Sequence, residues 1–179
     1  MLGGHAPEGI LPASQSEPLR YFATVPIASD PPLFASIFVA DLESLMRARG
    51  QVNETGLVSI VVHARKQRGA SSPLNSPLSE HSLLLAEPAS DQVEDDDGLL
   101  TARSGHKIGG APHLVRRKTA LLAALESLRQ DRYVLVAQFD FPHGEDVVVS
   151  GDWPFADGMF ALFGREPFQE PDWRWCWDF

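Results

Sequence analysis

Apolar residues in this chain come in short runs divided by Gly and Pro, and the runs follow two different periods. Leu33 to Val39 is a continuous apolar stretch after Pro31-Pro32 and reads as a strand. Asp41 then opens a patch in which Leu42, Leu45 and Met46 fall at helical spacing, enough for one or two turns. Leu57 to Ala64, rich in β-branched residues directly after Gly56, predicts a buried strand, and His81 to Glu87 predicts another. Leu121, Leu122, Leu125 and Leu128 share one stripe of a helix from Thr119 to Arg129. Thr119 is available as its N-cap, and Arg129 occupies the last turn, where the helix dipole favours a cation. Tyr133 to Phe141 reads as a strand, Val147 to Val149 follows the turn at His143-Gly144, and Met159 to Phe163 follows Asp157-Gly158. In the tail, Trp173, Trp175, Trp177 and Phe179 recur with period two and would line one face of a last strand. The expected class is α+β: antiparallel-rich sheets, one main helix at about 119–129, and a closing C-terminal aromatic strand. The β-α alternation of a doubly wound fold is missing.

The same order of features occurs twice. Leu33-Phe34-Ala35-Ser36-Ile37 lies over Leu135-Val136-Ala137-Gln138-Phe139, and the interval from Ala35 to Gly56 equals that from Ala137 to Gly158. A Gly-Gly with a nearby proline precedes each copy, at Gly3-Gly4 and at Gly109-Gly110. An internal repeat (residues 3–64 and 109–165) would give two similar sheet units packed in one composite domain over 1–179, since neither unit alone buries its apolar face. Chance overlay of strand-turn-strand pairs is the alternative. Between the units, residues 88–104 carry Asp91, Glu94, Asp95, Asp96 and Asp97 with little apolar content, as in a mobile acidic loop.

Charge and composition narrow the function classes. With 24 acidic side chains against 15 Lys plus Arg, the formal net charge is −9, which disfavours nucleic acid and favours a basic partner. The single cysteine, Cys176, excludes an internal disulfide framework and suits a reducing compartment. No apolar run approaches the roughly 18 residues that span a bilayer, and Met1 to Gln15 lacks the basic and apolar regions of a signal peptide. A cytoplasmic protein away from the membrane is expected.

Three elements carry a resemblance: His106-Lys107-Ile108-Gly109-Gly110-Ala111-Pro112, then Leu135-Val136-Ala137-Gln138-Phe139-Asp140, then Asp157-Gly158-Met159-Phe160-Ala161-Leu162-Phe163. Together they resemble the YwqG-like family of bacterial domains of unknown function, best over 104–165. The first copy departs from that pattern, with Ser36 and Phe38 at the places of Gln138 and Asp140. The resemblance implies company with the immunity genes of bacterial contact-dependent toxins.

On the strand from Tyr133, strict alternation places Leu135, Ala137, Phe139 and Phe141 on one face and sets Gln138 beside Asp140 on the other. That pair could contact a ligand in a sheet-face cleft, or could be a polar pair serving the fold. The six histidines (His5, His63, His81, His106, His113, His143) form no close array, and the acidic tract lacks the order of a calcium loop, so no metal or cofactor is expected. No G-x-S-x-G elbow occurs, and Cys176 between Trp175 and Trp177 is set for inert packing. The Gly109-Gly110 pair reads as a tight turn. Binding candidates are therefore Asp91, Glu94, Asp95, Asp96 and Asp97 of the loop, Gln138 and Asp140, and the aromatics Trp153, Trp173 and Trp175. The leading expectation is a non-enzymatic immunity protein that occludes a basic toxin domain. The alternative is an enzyme or small-ligand binder using the cleft around Gln138 and Asp140. Oligomeric state is left open.

Overall fold

The computed structural model describes residues 6–12, 18–27, 29–47, 52–53, 56–64, 92–94, 100–102, 106–114, 119–140, 155, 158–168 and 172–178. In chain order its elements are β1 (Arg20–Ile27), β2 (Leu33–Val39), α1 (Leu42–Met46), β3 (Val52–Asn53), β4 (Val58–His63), β5 (Gln92–Glu94) and β6 (Leu100–Ala102). β7 (Lys107–Ile108), α2 (Thr119–Gln130), β8 (Val134–Phe139), β9 (Met159–Gly164) and β10 (Trp173–Asp178) follow. This is an α+β fold of antiparallel sheets, ordered β1-β2-β4, β3-β10-β9-β8-β7 and β5-β6.

The two larger sheets face each other across one core. From the first come Val25, Ile37, Val39, Val58 and Ile60; from the second come Ala137, Phe139, Phe160, Leu162 and the three indoles Trp173, Trp175 and Trp177. Phe22 joins the layers, with ring centroids 5.0 Å from Phe139, 5.1 Å from Phe155 and 6.0 Å from Phe160. Edge-on aromatic contacts of this kind add to the burial of a large apolar area. On the far side of the five-stranded sheet, Leu121 and Leu128 of α2 cover Leu135, Met159, Ala161, Phe163 and Cys176. On the far side of the three-stranded sheet, Ala6 and Ile10 pack on Tyr21, Phe38 and Val61.

Both sheets contain a β-bulge, at Phe22 in β1 and at Val136 in β8. An extra residue in one strand turns the side chains beyond it to the other face. In β8 the consequence corrects the strict alternation expected from the sequence: Leu135 faces α2, whereas Ala137 and Phe139 face the inter-sheet core.

Other differences are local. Thr119 is the first helical residue rather than the cap preceding it. In α1, Asp41 is the N-cap, and its carboxylate accepts the Ser44 N–H at 2.8 Å. β1 was not expected, since it lies in the Gly- and Pro-punctuated stretch before Pro32, and Pro26 weakened its strand signal. Within the acidic tract expected as a loop, Gln92–Glu94 pairs with Leu100–Ala102, Val93 opposite Thr101. Backbone pairing of β-branched residues persists there despite the flanking charge. The strands expected at His81 to Glu87 and Val147 to Val149 lie outside the described residues, as does Phe179.

The two strand units can be compared by register. β2 and β4 pair antiparallel, as do β8 and β9, and each second strand follows the glycine marked in the sequence, Gly56 or Gly158. The offset that carries Ala35 to Ala137 carries Val62 to Gly164. Ala35 does pair with Val62, but Ala137 pairs with Leu162.

Candidate functional site

The segment from His106 to His113 and the end of β8 meet on the outer side of the five-stranded sheet. Lys107 pairs with Gln138 and Ile108 with Ala137, so the Gly109-Gly110 turn continues alongside the first half of β8. Both glycines adopt positive φ, 72° and 77°, a region that L side chains rarely enter. The Gly109 N–H donates to the Val136 carbonyl at 3.2 Å, and the Lys107 ammonium donates to the Ala111 carbonyl.

Opposite Lys107, Gln138 is fully buried and both ends of its amide are used. Its Oε1 accepts the His113 N–H at 2.8 Å, and its Nε2 donates to Asp140 Oδ1 at 2.9 Å. The amide and carboxylate thus lie side by side, and the backbone donor held at this site is His113, bonded to Gln138. The Val136 bulge keeps Gln138 out of the apolar inter-sheet core, where an amide would cost several kcal/mol without partners. His106 is exposed on one side and leans on Phe139 on the other, ring centroids 6.0 Å apart. Desolvation lowers its pKa from the ordinary value, with the Asp140 charge opposing.

A second polar constellation spans the outer face of the three-stranded sheet. Tyr21 Oη lies 2.8 Å from Thr24 Oγ1, Thr24 Oγ1 2.8 Å from Ser36 Oγ, and Ser36 Oγ 2.8 Å from His63 Nε2. A serine beside an imidazole is the beginning of a nucleophile and base pair. Here Ser36 is 0% exposed and its hydroxyl ties three strands together, so it is closed to solvent. Sequence reading missed this chain because β1, which supplies Tyr21 and Thr24, was not recognised. With the strand known, the register Thr24 to Ser36 places the two hydroxyls opposite each other.

The remaining candidates fall elsewhere. Trp173 and Trp175 are 3% and 1% exposed in the inter-sheet core, so the aromatic stripe holds the sheets together. Glu94 ends β5. Asp91, Asp95, Asp96, Asp97 and Trp153 lie outside the described residues. Among the described residues, no group of three or more His, Cys, Asp or Glu side chains could hold a metal ion, and no helix is long and apolar enough to cross a membrane. No protein-family model, curated protein or solved structure matches the chain.

Proposed function

We propose that this chain is a binding protein without turnover of its own, which neutralises a basic protein partner by occluding it, as an immunity protein does its bacterial toxin. The observation that carries the reading is the charge, −9 over the chain, set beside three described side chains that serve the fold. Ser36 is enclosed between Thr24 and His63, Gln138 is spent on His113 and Asp140, and Cys176 is a buried neutral thiol. What the surface has in excess is negative potential, which steers a basic partner and speeds its docking. The likeness of the His106 to Phe163 motifs to the YwqG-like family adds an association with immunity genes. A lone buried thiol suits a reducing cytoplasm.

The test is purification of the tagged chain from its native cell with neighbouring gene products co-expressed. The expected result is a stoichiometric complex with a basic protein whose toxic activity is lost in the complex. Recovery of a small molecule instead, with turnover that disappears in Asp140→Asn, would establish the enzymatic alternative.

A further inference from the structure

We infer that residues 6–12 are a strap over a peptide-docking face. The strap lifts off the outer face of the three-stranded sheet while the sheets stay folded, and an extended apolar segment of a protein partner takes its place. The inference does not depend on the partner's charge. Its first support is how the strap is built. Among the described residues its one hydrogen bond is internal, from the Ile10 N–H to the Pro7 carbonyl at 3.0 Å, with Gly9 at φ 74° between them. A glycine with positive φ at the third position closes such a turn without help from the rest of the fold. Apolar contact is therefore what seats the strap: Ala6 is 0% exposed, and Ile10 packs into the cluster of Tyr21, Phe38, Ala40 and Val61. A segment held by a few buried side chains and no ladder of hydrogen bonds belongs to the parts of a fold that open locally.

The second support is the face beneath. The register sets Tyr21, Phe38 and Ser59 side by side across the three strands. β4 turns Val58 and Ile60 into the inter-sheet core, so Ser59 and Val61 lie on the strap's side. Ser59 is 2% exposed, and its hydroxyl has no hydrogen-bond partner among the described residues. A buried hydroxyl left unpaired costs stability. An extended peptide on the same path brings backbone donors and acceptors as well as side chains, so it can satisfy Ser59 and cover the apolar row together. The strap itself shows what kind of segment fits: a small residue, a proline and an aliphatic side chain, spaced as Ala6, Pro7 and Ile10.

Two measurements on the full chain test it. In the first, Ala6→Cys is treated with a thiol reagent, and the buried Cys176 serves as the internal reference for global unfolding. The introduced thiol should react ~100-fold faster than Cys176 without denaturant, and low urea should speed Cys176 alone. Equal rates with the same urea dependence would show that the strap opens only when the whole chain unfolds, and would overturn the inference. In the second, the probe is the strap's own sequence, acetyl-Ala-Pro-Glu-Gly-Ile-Leu-Pro amide, followed by fluorescence anisotropy of a labelled copy. Ile10→Ser loosens the resident strap, and this chain should bind the probe with a dissociation constant of about 1 mM. The unaltered chain should bind it about tenfold more weakly, because its strap competes at high effective concentration. A probe with serine in place of isoleucine should bind neither chain. No saturable binding to the folded variant, or equal affinity for both chains, would overturn the docking face. Ile10→Ala replaces Ile10→Ser if that variant does not fold.

Discussion

Cys176 shows how a single position can be chemically silent at neutral pH and still carry a pH dependence. It is completely buried beneath α2 among Leu121, Met159, Ala161 and Phe163. Burial, with Asp178 nearby, pushes its thiol up to about 12 from the ordinary 9.0. In the unfolded chain the thiol loses its proton near its ordinary value, whereas the folded chain holds it. Between about pH 9 and pH 12 the folded state therefore binds more protons, and stability falls as pH rises through that window. Below it the contribution is fully present. Urea midpoints at pH 8 and pH 10 should drop more for the native chain than for Cys176→Ala, and equal drops would show that Cys176 is not the source. The neighbouring indoles mark a limit of residue-level sequence reading. Trp177 donates to the Phe155 carbonyl at 2.7 Å, while the buried Trp173 and Trp175 nitrogens have no acceptor among the described residues. The period-two stripe assigns all three to one face correctly but carries no sign of this difference, because acceptors come from chain segments distant in sequence.

At the scale of elements, the hairpin between β9 and β10 depends on one glycine. An added Cβ at Gly164 would come within 2.8 Å of the Trp173 ring and 2.9 Å of the Phe168 ring, both buried. Neither ring has room to retreat, since they pack on each other at 6.0 Å and belong to the inter-sheet core. Gly164→Ala should therefore destabilise the chain by about 1–3 kcal/mol, as overpacking of a dense core does. Chemical denaturation would measure it, and a change below about 0.5 kcal/mol would contradict this account of the hairpin. Elements that announce themselves by composition were legible: β2, β4, β9 and β10 as apolar runs, α1 through the helical spacing of Leu42, Leu45 and Met46, and α2 through its leucine stripe. β1 was not, because its Pro26 and the surrounding prolines resemble loop punctuation while its pairing with β2 is a tertiary fact. The bulge at Val136 was also invisible, since an extra residue leaves the apolar run looking continuous. Period-two reasoning nevertheless kept Gln138 next to Asp140, because both lie beyond the bulge.

At the largest scale, the described residues of the core stack in layers: an N-terminal segment, a three-stranded sheet, a five-stranded sheet, and α2 on the outside. Among the described residues, two polar clusters sit on the outward faces of the sheets, each held by hydrogen bonds between its members. Such networks are costly to disturb, which suits a rigid scaffold that presents a charged surface more than a site that must rearrange. Net charge was legible from composition alone, whereas the commitment of Ser36 and Gln138 to the interior required the register. Charge complementarity between the chain and a basic partner has one direct signature. With the co-purified partner in hand, the association rate constant measured across ionic strengths from low to physiological should fall steeply with added salt. Replacing Asp95, Asp96 and Asp97 together by Asn should slow association at low salt and flatten that slope if the acidic tract is part of the contact. An association rate of the native chain that does not change with ionic strength would contradict the proposal that its acidic surface recognises a basic protein.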